Sequence, residues 1–103
     1  SSMAEFPELT SLHLLLSADR DAVHACQRMV EAGDTVCLVA DGVMVLTEKF
    51  ATGFGDGVEV LYALVDLEAR GLAALAARAG VSTVTDDEVP RLLRGHRHCV
   101  SWK

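Results

Sequence analysis

The stretch Tyr62-Ala63-Leu64-Val65-Asp66-Leu67-Glu68-Ala69-Arg70-Gly71-Leu72 constrains this chain more than any other. An apolar run stops at an acidic residue, and the residues after it have the composition of a short helix closed by glycine. The segment therefore reads as a strand feeding directly into a helix. At 103 residues, the chain has room for one domain built around one hydrophobic core.

The same alternation recurs along the sequence. Ser11 to Leu16 is a short apolar run suited to a buried strand, and Ser17-Ala18-Asp19 supplies helix-capping residues for a helix that runs to about Ala32. Gly33-Asp34 stops it, and Thr35 to Ala40 is a second strand rich in β-formers, fit for burial on both faces. Asp41-Gly42 turns the chain into Val43–Phe50, which reads as a short helix or, through Val43, Val45 and Thr47, as a strand extension. Three glycines among Gly53-Phe54-Gly55-Asp56-Gly57 mark a loop. Val58 to Val65 is the third strand, Leu67 to Ala79 is helical and ended by Gly80, and Val81 to Val84 is a fourth strand. Asp86-Asp87-Glu88 with Pro90 opens a further helix, with Arg91 and Arg94 toward its other end, and His98 to Trp102 is the last strand. Strands and helices joined this closely predict a single three-layer αβα domain of the α/β class, with a mostly parallel sheet of about five strands. The pattern does not state the strand order.

Residues 4–103 are expected to form that domain, and Ser1-Ser2 before Met3 reads as a tag remnant preceding an initiator methionine. Half the residues are apolar and mean hydropathy is +0.28, yet no run approaches the roughly 18 apolar residues of a membrane span. Such a composition suggests a protein that buries surface in an oligomer as well as in its core. Nothing near the start resembles a signal peptide, so the expected location is cytoplasmic. The net charge of −6 disfavours a phosphate backbone as a direct partner. Arg91, Arg94 and Arg97 with His96 and His98 form the one basic cluster, and its plain reading is a solvated helix end. Sites in parallel sheets form beyond the carboxyl ends of strands, which points to Ser17-Ala18-Asp19, Asp41-Gly42, Asp66 and Thr85-Asp86. No phosphate-cradling loop follows a strand, and Ser17 and Ser101 lack a nucleophile-elbow pattern, so nucleotide binding and independent hydrolysis are disfavoured.

Leu12-His13-Leu14-Leu15, Asp41-Gly42-Val43, the Tyr62–Leu72 segment and Val100-Ser101-Trp102, in this order and spacing, resemble the DsrH/TusB family from about Ser11 to Trp102. The resemblance implies an accessory subunit of a cytoplasmic sulfurtransferase complex that relays persulfide sulfur. It implies partners of the DsrE/TusD and DsrF/TusC kinds in a heterohexamer, a DsrC/TusE-like carrier beyond them, and an outlet in tRNA 2-thiouridine synthesis or dissimilatory sulfur oxidation. In such complexes the common relay cysteine belongs to the DsrE/TusD-type partner. The chain departs from the family pattern at Val65, which stands alone where two residues are usual, so the next helix is expected to start earlier or sit rotated. It also departs at Val89-Pro90 and at Met44-Val45-Leu46.

Three cysteines outside a secreted context are expected to be reduced thiols. Cys26 lies on the helical stripe Ala22-Val23-Cys26-Met29-Val30 and has packing as its natural role, although His24 and Arg28 are close and the resemblance makes it a candidate for sulfur transfer. Cys37, inside Val36-Cys37-Leu38-Val39, reads as core. Cys99 in the last strand is the other candidate carrier, because a persulfide-accepting thiol must be accessible. His96-Arg97-His98-Cys99 suggests a metal, but alternation turns Cys99 away from the two histidines, so no metal or cofactor is expected. His13, between leucines, reads as a hydrogen-bonded core histidine. Trp102 is a core lid or an interface anchor. The rival reading is a stand-alone homo-oligomeric binding module without sulfur chemistry, and a second rival makes the chain itself a persulfide carrier through Cys26 or Cys99.

Overall fold

A computed structural model describes residues 10–48, 53–95 and 98–103. The elements run β1 (Ser11–Leu15), α1 (Arg20–Met29), β2 (Thr35–Leu38), a 3₁₀ helix (Ala40–Thr47), β3 (Glu59–Ala63), α2 (Leu64–Ala69), α3 (Ala73–Ala79), β4 (Ser82–Val84), α4 (Val89–Gly95) and β5 (His98–Trp102). The tag-remnant expectation for residues 1–3 lies outside the described residues.

The five described strands are all parallel, in the order β4-β3-β2-β1-β5. The first three connections step one way across the sheet and the fourth runs back to the opposite edge. Right-handed crossovers then require the fourth to pass over the other face. The packing agrees. Ala22, Val23 and Cys26 of α1, Val43 and Val45 of the 3₁₀ helix, Leu67 of α2 and Ala76 of α3 form one cluster with Leu15, Val36, Leu38 and Tyr62. On the opposite face, Leu12, Cys37, Leu61 and Val84 are met by Val89 and Leu92 of α4. The domain is thus the three-layer αβα arrangement, with one thick helical layer and one thin one, since α4 contains no buried residue. Each fully buried Leu or Val contributes about 2 kcal/mol by leaving water.

Local chemistry explains where elements start and stop. Asp19 caps α1, accepting the Asp21 amide at 3.2 Å, while the Asp19 amide donates to Ser17 Oγ at 3.0 Å. The helix ends at Met29, short of the expected Ala32, because Glu31 to Asp34 forms its own turn: the Glu31 amide donates to Asp34 Oδ2 at 3.0 Å and the Asp34 amide to the Glu31 carbonyl at 2.9 Å. Residues after Asp41-Gly42 are helical rather than a strand extension, but the turns are 3₁₀ and begin at Ala40. The helix after β3 starts at Leu64 instead of Leu67, and it breaks at Gly71, whose φ is +71°. A residue in that left-handed region cannot continue a helix, so the expected Leu67–Ala79 helix is two, α2 and α3. Gly80, with φ of +72°, ends α3 as expected. Glu88 Oε1 accepts both the amide and the hydroxyl of Thr85, at 2.8 and 3.1 Å, which fixes the first turn before α4.

Candidate functional site

Three of the sequence motifs meet where β1, β2 and β3 end. The amide of Ala40 donates to Asp66 Oδ2 at 2.9 Å, holding Ala40 at a φ of +52° that a non-glycine residue adopts only under constraint. Arg70, one helical turn beyond Asp66, reaches back with Nη2 to Asp41 Oδ1 at 2.9 Å and with Nη1 to the Asp66 carbonyl at 3.3 Å. Gly42 lies against β1 so closely that a Cβ would come within 1.9 Å of the Leu15 carbonyl oxygen. Asp41-Gly42 and Asp66 therefore tie three strand ends together. The Asp41–Arg70 pair at the rim is solvent-facing and contributes no more than about 1 kcal/mol.

Beside this knot, α2 leaves β3 toward one face while α4 leaves β4 toward the other, and a crevice opens between them. It measures about 230 Å³ and is lined by Leu64, Val65, Glu68, Thr85, Asp86 and Asp87. Thr85-Asp86 thus sits at a strand-end crevice as the sequence indicated, whereas Ser17-Ala18-Asp19 is occupied in capping α1. The acidic lining repels phosphates and anionic substrates. An apolar cavity of about 330 Å³ lies on the α1 side, bounded by Val45, Phe54, Val60, Tyr62 and Val81. Burial raises the Tyr62 phenol, so Tyr62 is neutral there.

The thiols separate cleanly. Cys26 and Cys37 are both 0% exposed. Burial pushes the Cys26 thiol up to about 12 and the Cys37 thiol up to about 11, the latter with further contributions from the charges of Asp66 and Cys99. Both are protonated at neutral pH and pack as small apolar groups. Cys99 is exposed on β5. Its strand neighbour His98 faces the other side of the sheet, and among the described residues no group of three His, Cys, Asp or Glu side chains is placed to hold a metal ion. His96 and Arg97 lie outside the described residues.

Trp102 closes the α1 side of β5 and is wired into the sheet. Its Nε1–H donates to His13 Nδ1 at 3.1 Å, and the rings stack at 18° with centroids 6.1 Å apart. An indole only donates, so Nδ1 carries no proton and the hydrogen sits on Nε2, which donates to Asp34 Oδ2 at 3.1 Å. His13 is therefore the neutral Nε2–H tautomer, and at 3% exposed it is the core histidine its leucine neighbours suggested. Asp34 completes the chain by accepting the Ser11 amide at 2.9 Å and the Glu31 amide. Burial raises the Asp34 carboxyl, but the two amides and His13 together outweigh it and leave the group below its ordinary value. In the sequence Asp34 reads only as a helix stop beside Gly33. Its histidine partner is 21 residues away, and no local pattern announces that pairing.

A parallel sheet knotted at its carboxyl ends, with helices on both faces and two sealed thiols, defines a three-layer α/β domain. The sequence model of the DsrH like proteins matches residues 17–98, and the chain belongs to that family. It is in general terms a sulfur-relay complex subunit. Neither a curated protein nor a solved structure matches the chain. Among the described residues, no helix is long and apolar enough to cross a membrane.

Proposed function

We propose that this chain is an accessory, docking subunit of a cytoplasmic persulfide-relay complex that leaves the principal sulfur chemistry to a cysteine on a partner. The observation that carries the reading is the state of the two thiols sealed between sheet and helices: Cys26 and Cys37 are fully buried and held protonated, and so cannot attack a sulfane sulfur. The partners are related α/β chains of the DsrE/TusD and DsrF/TusC kinds, and the sulfur ends in tRNA 2-thiouridine or enters dissimilatory oxidation. Native mass spectrometry of the protein alone and co-expressed with such chains tests this. A stable complex containing both supports the reading, and a homo-oligomer indifferent to them favours a stand-alone binding module. Trp102→Ala is expected to impair assembly in co-purification, and assembly at the wild-type level would remove Trp102 from the interface.

One observation favours a second reading, in which the chain itself accepts sulfur: Cys99 is exposed. The Cys99 thiolate would attack the terminal sulfur of a donor persulfide. A new Cys99 S–S bond forms as the donor S–S bond breaks, and the donor departs as a thiolate. Mass spectrometry after incubation with a persulfide donor, read against Cys99→Ser, decides between an accessory subunit and a carrier. Addition of one sulfur atom, about 32 Da, at Cys99 establishes the carrier.

A further inference from the structure

Two independent observations converge on the outer edge of β5. The first is the backbone. The Leu16 amide donates to the Trp102 carbonyl at 2.9 Å, and Trp102 stands opposite Leu15 in the parallel register. Alternation along the strand then aims the N–H and C=O of His98, Val100 and Trp102 at β1, and those of Cys99 and Ser101 outward. No described strand lies on that side. The opposite edge, β4, is three residues long, whereas β5 has five, four of them exposed and none acidic or proline. Edges of this kind are ordinarily shielded by prolines, charges or bulges, or covered by another segment.

The second observation is charge. Residues 91–103 contain four Lys or Arg and no Asp or Glu, so the −6 of the whole chain divides into +4 here and −10 over residues 1–90. Arg91 and Arg94 are exposed on α4, which leads into β5, and Lys103 is exposed just after it.

We propose that the outer edge of β5 docks an extended, acidic segment of a partner polypeptide, which joins the sheet as a sixth strand. The backbone selects a polypeptide over a nucleic acid. The open edge offers both donors and acceptors at Cys99 and Ser101, at the spacing of a strand, which another extended polypeptide backbone matches and a sugar–phosphate backbone does not. The charge selects an acidic segment over a second copy of this chain, since pairing two β5 edges would bring two +4 segments together. The proposal names a contact surface for a docking subunit, but it does not rest on sulfur transfer and is tested without any persulfide present.

The test is titration of the full chain with a synthetic peptide of alternating Glu and Val. Controls are the Lys–Val and Ser–Val peptides and single-stranded polyuridylate. Binding is followed by amide exchange at Cys99 and Ser101 and by the fluorescence of Trp102, the one tryptophan. The Glu–Val peptide is expected to bind at least about tenfold more tightly than Lys–Val at low salt, to weaken as salt rises, and to slow exchange of both amides. Ser101→Pro, which deletes an outward N–H that β1 does not use, is expected to abolish binding with the melting curve unchanged. Should that variant not fold, Arg94→Glu combined with Lys103→Glu carries the test through an expected loss of about tenfold in affinity. Failure of the Glu–Val peptide to bind, equal binding of Lys–Val, wild-type binding by a folded Ser101→Pro, or binding of polyuridylate in the peptide's place would each overturn the proposal. None of these results bears on whether the chain co-assembles with relay subunits.

Discussion

The indole of Trp102 contributes a ring and a donor, and the two are separable. Trp102→Phe keeps most of the packing but leaves His13 Nδ1 without its donor, an expected loss of about 1 kcal/mol in urea unfolding. Trp102→Ala also removes the stacked ring, for about 3 kcal/mol in total. Asp34 ties the same chain of groups to pH. Its carboxyl is held below its ordinary value in the folded protein, so the stability it supplies is fully present above the unfolded value of about 3.9 and is lost as pH falls through the lower, folded one. Asp34→Asn should therefore flatten the acid limb of the stability profile. The cysteines differ in the same way: a thiol reagent should modify Cys99 rapidly in the native protein and reach Cys26 and Cys37 only on unfolding. Cys37 could be read as core from its apolar neighbours, and Cys26 from its helical stripe. Whether Cys99 faced solvent could not, because that depends on which strand lies at the edge of the sheet.

Glycine positions that look alike in the sequence act differently within their elements. Gly42 touches the Leu15 carbonyl, so Gly42→Ala forces backbone apart and is expected to cost about 3 kcal/mol or more, measured by chemical denaturation. At Gly71 nothing lies within 4 Å of an added Cβ, so only the φ of +71° opposes Gly71→Ala, and about 1 kcal/mol is expected. The caps at Asp19 and Gly80 were legible because a cap is a local event, decided by one side chain and the next few amides. The split between α2 and α3 was legible only at the Gly71 end of the opening segment, since the alanine-rich run beyond it has helical character on both sides of the break. The 3₁₀ geometry after β2 was not legible. It follows from Ala40 being pinned to Asp66, 26 residues away, and from Gly42 being pressed against β1.

Across the molecule, the decisive asymmetry is between the two layers over the sheet. The face carrying α1, the 3₁₀ helix, α2 and α3 is closed by a large cluster, while among the described residues the other has α4 alone, and the basic end of the chain includes α4 and an edge strand that no other described strand covers. Co-expression followed by native mass spectrometry is expected to recover this chain in a hetero-oligomer, and occupation of the β5 edge should then appear as exchange protection at Cys99 and Ser101. The amino-acid sequence by itself determined the class of fold, the approximate place of each strand, the family, and which residues stand at strand ends. These are set by hydrophobic periodicity, caps and turn residues acting within a few positions of one another. Tertiary structure alone decided the order β4-β3-β2-β1-β5, the Asp34–His13–Trp102 chain, the Asp66–Ala40 tie and the exposure of Cys99. Each of these depends on which distant segments lie side by side, and every apolar strand in the chain satisfies the local rules equally well in any order.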